Sequence, residues 1–261
     1  QRYGAARVGV YMGTSTSGIL QTELAYRDRD PATGQLPHWF DYARTHNTYS
    51  VAGFVRDALQ LQGPAMVVST ACSSGAKVFA NAQRAIDAGV IDAAVVGGVD
   101  SLCLTTLYGF NSLELLSDAI ARPCDANRSG LSIGEAAAFA LLERDAKEPR
   151  AWLVGSGETS DGHHMSAPHP EGAGAAQAMQ LALARAGLSP DAVDYVNLHG
   201  TATPSNDAAE AKAMATVFGE SGVWCSSTKG ATGHTLGAAG ALEALVCILA
   251  LERQWVPAGL S

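Results

Sequence analysis

Apolar and polar positions along the chain follow two alternating periods. Short apolar runs at residues 7–13, 65–68, 93–99, 136–142, 152–157, 193–198 and 223–226 are bounded by Gly, Ser, Thr or charged residues and read as strands. Between them the apolar spacing is helical. It predicts helices over 19–27, 48–61, from about 73 to 87, 107–116, 174–186, 205–218 with a Ser or Asn cap, and 236–251. In the second of these, Val51, Phe54, Val55, Leu59 and Leu61 fall near one face, and Gly63-Pro64 closes it. Residues 28–47 are polar and carry Pro31, Gly34 and Pro37, so they read as a long surface excursion. Residues 122–134 and 228–235 read as loops. Apolar strands alternating with helices predict an α/β fold with helices on both faces of its sheets. Residues 67–87 and 224–245 share one faint pattern: a strand, a Ser/Thr-rich turn, then a helix opening with small residues. Pseudo-symmetry of that kind would put Cys72 and His234 at equivalent helix starts, where they could meet. Gly97-Gly98, inside an apolar strand, predicts close approach of another backbone.

Composition narrows the class. The 261 residues suit one large domain or two small ones. Hydrophobic residues make up 47% and charged residues 16%, so much of the surface is packed. Every apolar stretch is interrupted before about 18 residues, which predicts no transmembrane helix and no membrane partner. No signal-like segment opens the chain at Gln1. A net charge of -8 leaves no basic footprint for nucleic acid, although a local basic patch can still meet an acidic partner. Five widely spaced cysteines (Cys72, Cys103, Cys124, Cys225, Cys247) argue against a disulfide framework and a structural zinc site. A reducing cytoplasm is the expected compartment.

Candidate chemistry lies where strands end, the usual place for a site in an α/β fold. Cys72 sits between an apolar strand and a helix, where first-turn N–H groups and the helix dipole favour a thiolate. Its plainest reading is a small buried apolar residue. His199 follows a strand, and Lys229 and His234 share a Gly/Thr-rich loop. Taken singly, His199 reads as a structural histidine and Lys229 as a solvated lysine. Their shared small, uncharged neighbours argue against both readings. Imidazoles near a thiol raise its thiolate fraction or donate to a developing oxyanion. His163, His164 and His169 lie in a Pro/Gly loop without i, i+4 spacing, so they predict surface residues rather than metal ligands.

Three segments then become specific together: Thr70-Ala71-Cys72-Ser73-Ser74-Gly75, His199-Gly200-Thr201-Ala202-Thr203-Pro204 and Lys229-Gly230-Ala231-Thr232-Gly233-His234. In sequence, order and separation they resemble the signatures of the β-ketoacyl-acyl carrier protein synthases. Asp125-Ala126-Asn127-Arg128-Ser129-Gly130 falls where that family has a supporting segment. The resemblance is to elongating synthases with a Cys-His-His site, and it covers nearly the whole chain.

The resemblance implies a thiolase-like α-β-α-β-α layered fold of two pseudo-symmetric halves, residues 1–150 with the nucleophile and 151–261 with both histidines. It implies Cys72 as the acyl-accepting nucleophile, its N–H forming half of an oxyanion hole. His199 and His234 would assist malonyl decarboxylation and hold the enolate oxygen, with Lys229, paired to Glu210, setting the electrostatics. Thr201 and Thr203 would bond the phosphopantetheine arm. The implied reaction is a decarboxylative Claisen condensation in fatty acid, polyene or polyketide elongation. It needs no metal and no cofactor beyond the carrier's phosphopantetheine. The implied partners are acyl carrier protein and a second copy, with strand 93–99 as the pairing edge. The family's opening strand and helix and its C-terminal Gly-Phe-Gly-Gly-Thr-Asn loop are missing, so the expectation is a partial chain. Two rivals remain. A cysteine hydrolase would want Gly where Thr70 stands, and a non-catalytic subunit of a ketosynthase heterodimer would lack the nucleophile.

Overall fold

The structure, a computed structural model, describes residues 2–219 and 222–259. The chain forms two units, one from residues 1–113, 133–148 and 235–245, the other from 114–132, 149–234 and 246–261. The last two residues of the expected second half, Leu260 and Ser261, lie outside the described residues.

In the first unit the elements are β1 (Val8–Gly13), α1 (Ile19–Arg27), α2 (Tyr42–Thr45), α3 (Tyr49–Ala58), β2 (Ala65–Val68), α4 (Ser74–Asp87), β3 (Ala93–Asp100), α5 (Leu104–Ser112) and β4 (Ala136–Glu143). The strands run in the order β2-β1-β3-β4, with β4 antiparallel to β3. Period-two alternation splits the apolar side chains between the two faces. Tyr11, Val68, Ala94 and Val96 pack with Val78, Ala82 and Ile86 of α4. Val10, Met12, Val67 and Val95 pack with Ala52 and Val55 of α3. Helices therefore cover both faces, as the pattern predicts.

Several expectations need correction in this unit. The helix predicted over 48–61 stops at Ala58, because Gln60 turns into the left-handed region (φ 54°). The helix predicted over 107–116 begins earlier. The Glu23 carboxylate accepts the N–H groups of Leu104 (3.1 Å) and Thr105 (2.6 Å) and so starts α5 there. The excursion contains α2, whose first turn is capped by Asp41 accepting from Ala43 (3.0 Å) and Arg44 (3.4 Å). Strand 93–99 is not an edge: β3 lies between β1 and β4, while β2 has a neighbour on one side only among the described residues. Its glycines do meet other backbones. A Cβ at Gly97 would lie 2.3 Å from the Ala138 carbonyl oxygen, and one at Gly98 would lie 2.8 Å from Ala238 Cα.

The second unit contains α6 (Ala173–Ala186), β5 (Tyr195–Asn197), α7 (Pro204–Phe218), β6 (Trp224–Ser226) and α8 (Lys229–Thr232). The last helix, α9 (Ala239–Arg253), enters this unit from Val246 onward. β5 and β6 pair in parallel. Ala176 of α6 packs with Ala213 and Val217 of α7.

Residues 152–157 join no sheet, contrary to the strand expected there. The segment is held against α6 instead. A Cβ at Gly155 would lie 2.4 Å from the Ala182 carbonyl oxygen, and one at Gly157 would lie 1.8 Å from that of Ala178. An apolar run makes a strand only where a ladder partner exists, and among the described residues β5 and β6 pair only with each other. β5 is also shorter than predicted, because Val193 N–H bonds back to Pro190 at the end of a 3-10 turn. The cap of α7 is Thr203 rather than a Ser or Asn. Pro204 takes the first helical position, which places Ser205 and Asn206 inside the helix. Among the described residues no helix is long and apolar enough to cross a membrane.

Candidate active site

The thiol belongs to the first unit. β2 ends at Val68 and α4 begins at Ser74, so Cys72 lies two residues before the helix, half-buried. Ala71, just before it, is in the left-handed region (φ 54°), a costly conformation for a residue with a Cβ. Hydroxyls hold the turn. Ser74 Oγ accepts the Thr70 N–H (2.9 Å) and donates to the Ala71 carbonyl (2.5 Å), while Ser73 Oγ donates to the Thr70 carbonyl (2.8 Å). Small residues let backbones close in behind it. A Cβ at Gly13 would sit 2.6 Å from Gly75 N, and one at Gly75 would sit 2.7 Å from the Gly237 carbonyl oxygen. The positive end of α4 thus lies next to the thiol in sequence, as predicted. None of the five cysteines is disulfide-bonded.

The second unit assembles the other predicted groups. β5 leads into His199, and Glu210 on α7 accepts the N–H groups of His199 (2.7 Å) and Gly200 (2.8 Å). Ser227 Oγ donates to the Gly200 carbonyl (2.8 Å) and accepts the Lys229 N–H (3.2 Å), tying one loop to the other. Gly200 has no room for a side chain there, since a Cβ would lie 2.5 Å from Ser227 Cβ. His234 N–H donates to the Ser132 carbonyl (2.7 Å). The two imidazoles consequently lie 5.2 Å apart, edge to face at 89°.

Electrostatics keep both rings neutral. Burial, and then the Lys229 ammonium, push His234 down to about 3. Burial, Lys229 and His234 hold His199 well below the usual histidine range. Lys229 is itself buried (3% exposed). Burial raises the Glu210 carboxyl, an effect opposed by the two backbone donors and by Lys229. Thr201 and Thr203, both buried, share a hydrogen bond between their hydroxyls (2.9 Å).

Neutral imidazoles carry N–H donors without the charge that would draw water, so the pair can hold an oxyanion in a dry site. Of the predicted residues, His199, His234, Lys229, Glu210, Thr201 and Thr203 share the second unit, and Cys72 stands in the first. Sequence reasoning missed Asp207, Ser132 and Ser227, and left Arg128 without a role. Asp207 had a legible signal, as an acid in the first turn of a helix otherwise rich in Ala. Ser132 acts through its carbonyl, which leaves no mark in a sequence.

His163, His164 and His169 serve their own loop. His164 Nδ1 accepts from Ser166 N–H (3.1 Å), and His169 Nδ1 accepts from Glu171 N–H (3.2 Å). His163 and His169 meet edge to face at 4.9 Å.

Known proteins resemble this chain in sequence and in fold. The family model described as "Beta-ketoacyl synthase, N-terminal domain" matches residues 1–148, and "Beta-ketoacyl synthase, C-terminal domain" matches 150–261. The 3-oxoacyl-[acyl-carrier-protein] synthase 2 of Vibrio cholerae is 35% identical over 97% of this chain and 65% of its own length. The mitochondrial 3-oxoacyl-[acyl-carrier-protein] synthase of Arabidopsis thaliana is 41% identical over 80% of this chain and 50% of its own. A solved ketosynthase in complex with its chain length factor, from Xenorhabdus doucetiae, superposes with a TM-score of 0.90 at 42% identity, covering 98% of this chain and 64% of that one. A β-ketoacyl synthase from Burkholderia phymatum gives 0.87 at 34% identity, covering 95% and 63%. The fold is thiolase-like. The chain belongs to the β-ketoacyl synthase family, and it spans less than two-thirds of the length of these relatives.

Proposed function

We propose that the protein containing this chain is an elongating 3-oxoacyl-acyl carrier protein synthase, an acyltransferase that forms carbon–carbon bonds. The observation that carries this reading is the pair of neutral imidazoles, His199 and His234, set at 5.2 Å beside a buried ammonium, Lys229. Decarboxylation of a malonyl thioester needs donors at the forming enolate oxygen rather than a strong base. One such donor is worth about 2.7–4 kcal/mol in the transition state.

The steps follow from the groups. The Cys72 thiolate attacks an acyl thioester on the carrier's phosphopantetheine, the carbonyl–sulfur bond to pantetheine breaks, and the departing thiolate takes a proton from solvent. The acyl group then waits on Cys72, which splits one difficult condensation into two steps. A malonyl thioester follows, with Thr201 and Thr203 bonding its pantetheine arm. Loss of carbon dioxide puts charge on the thioester oxygen, which accepts from the imidazole N–H groups of His199 and His234. The carbanion attacks the Cys72 thioester, the Cys72 N–H donates to the resulting oxyanion, and collapse returns the thiolate and a 3-oxoacyl product. Burial and the Lys229 ammonium keep both rings uncharged, while Glu210 holds the backbone of His199. The reaction takes no cofactor beyond the carrier's own arm.

Residues 1–150 and 151–261 serve in this reading as the thiol-bearing and histidine-bearing halves of the synthase. Acyl carrier protein is the proposed partner, the cytoplasm the proposed compartment, and a second copy the proposed dimer partner. The solved relative from Xenorhabdus doucetiae is bound to a chain length factor, which supports a heterodimer as the variant of this reading.

Intact mass after incubation of the full-length protein with acyl-carrier protein should show an acyl adduct on Cys72. An unmodified Cys72 would sink the assignment, and release of fatty acid without condensation would favour a hydrolase. His234→Ala should keep part of the acylation and lose malonyl decarboxylation. Unchanged carbon dioxide release would contradict its role.

A further inference from the structure

Asp207, in the first turn of α7, has a side chain only 2% exposed. Its Oδ2 accepts the Cys124 N–H (2.8 Å), and its Oδ1 accepts the Ala202 N–H (3.2 Å) and Asn206 Nδ2 (3.1 Å). Its counter-charge is Arg128, whose Nε lies 3.6 Å from Oδ2. The same guanidinium donates through Nη1 to the Asp125 carbonyl (2.8 Å) and through Nη2 to the Pro204 carbonyl (3.3 Å). One side chain therefore joins the loop of residues 122–132 to the start of α7.

What this junction holds is the turn of residues 201–203. Ala202 is in the left-handed region (φ 66°), a conformation that persists for a non-glycine residue only when its surroundings impose it. The imposing bond is Ala202 N–H to Asp207. A buried carboxylate stripped of its cation is left uncompensated and turns toward water or other donors, which weakens that bond. On either side of Ala202 stand Thr201 and Thr203, whose hydroxyls meet at 2.9 Å.

We propose that Arg128, acting through Asp207, is a positioning residue for the turn of residues 201–203 and hence for the pantetheine arm of carrier-bound substrates. The inference rests on the ketosynthase reading above. It assigns Arg128 no contact with the reacting atoms. Its loss therefore weakens recognition of the arm rather than the chemistry.

The test uses the full-length protein and two malonyl donors. Malonyl-carrier protein presents the whole phosphopantetheine arm, whereas malonyl-N-acetylcysteamine lacks most of it. Arg128→Ala should lose about tenfold in kcat/KM on the carrier-bound donor, mainly through KM, and keep its rate on the short donor within about twofold. Equal losses on both donors, a larger loss on the short one, or no loss on either overturns the inference. If Arg128→Ala does not fold, Arg128→Gln carries the same comparison, since it removes the charge but keeps a polar side chain in its place. A parent protein that forms no acyl adduct on Cys72 overturns the ketosynthase reading, and this inference with it. An acylated parent whose variants lose both donors alike overturns the inference alone.

Discussion

His199 and His234 meet edge to face at 5.2 Å, and both are kept uncharged by burial and by the Lys229 ammonium. Two imidazoles this close would repel each other if protonated. Their neutrality is thus a property of the arrangement, and it has consequences that can be measured.

Stability should fall on the acid side. His234 is depressed from 6.5 to about 3, so between those values the unfolded chain binds a proton that the folded one excludes. The stabilising contribution is complete above about pH 6.5 and is lost as pH falls toward 3. Thermal midpoints measured from pH 7 to pH 4 should decline, and His234→Asn should flatten the decline. An unchanged slope in that variant would contradict the burial of a neutral ring.

Removing the ammonium should release the rings. Lys229→Met deletes a charge that lowers both histidines, so NMR titration should find both imidazoles moved upward, with burial still holding them below 6.5. Malonyl decarboxylation should drop by roughly 10²-fold or more, as for loss of an electrostatic group in a dry site. Imidazole titrations that do not move would show that Lys229 acts otherwise.

Glu210 should matter to the position of His199. Glu210→Gln leaves one oxygen for two N–H donors, those of His199 and Gly200, and turns an NH2 group toward one of them. A loss of about 1–3 kcal/mol in denaturant unfolding is expected, the cost of a buried unsatisfied donor. A neutral result would mean that the backbone finds another acceptor.

Behind the thiol, a single methyl group should be too much. Gly75→Ala would place Cβ 2.7 Å from the Gly237 carbonyl oxygen and 2.8 Å from Ala241 N, both backbone atoms. Destabilisation of about 1–3 kcal/mol is expected, with slower acylation of Cys72. Full stability and full acylation in Gly75→Ala would refute the close approach.

Exposure alone should not make a cysteine reactive. Cys124 is exposed, yet its thiol is pushed up to about 11, first by burial of the sulfur and then by the Asp207 and Glu210 carboxylates. Alkylation by iodoacetamide at pH 8, followed by peptide mapping, should find Cys72 modified well before Cys124. The reverse order would count against both assignments.

The sequence by itself determined most of the local elements and the list of candidate side chains. β2 at 65–68 and α1 at 19–27 form over the predicted residues, because an apolar run with turn residues at its ends, or a helical spacing, is information carried by neighbours in the chain. Cys72, His199, Lys229 and His234 were legible because their motifs are contiguous. Only the tertiary structure decided the rest. Residues 152–157 open with an apolar run as a buried strand does, but a strand exists only with a ladder partner, and the segment lies against α6 instead. β3 reads like any edge strand until β1 and β4 are seen on its two sides. The neutrality of His234 depends on burial and on where Lys229 places its charge. The left-handed turn at Ala202 depends on Asp207 and Arg128, the latter 74 positions away in a different loop. Bonds and charges between distant positions leave no period in a single sequence, because they come into being only when the chain has folded.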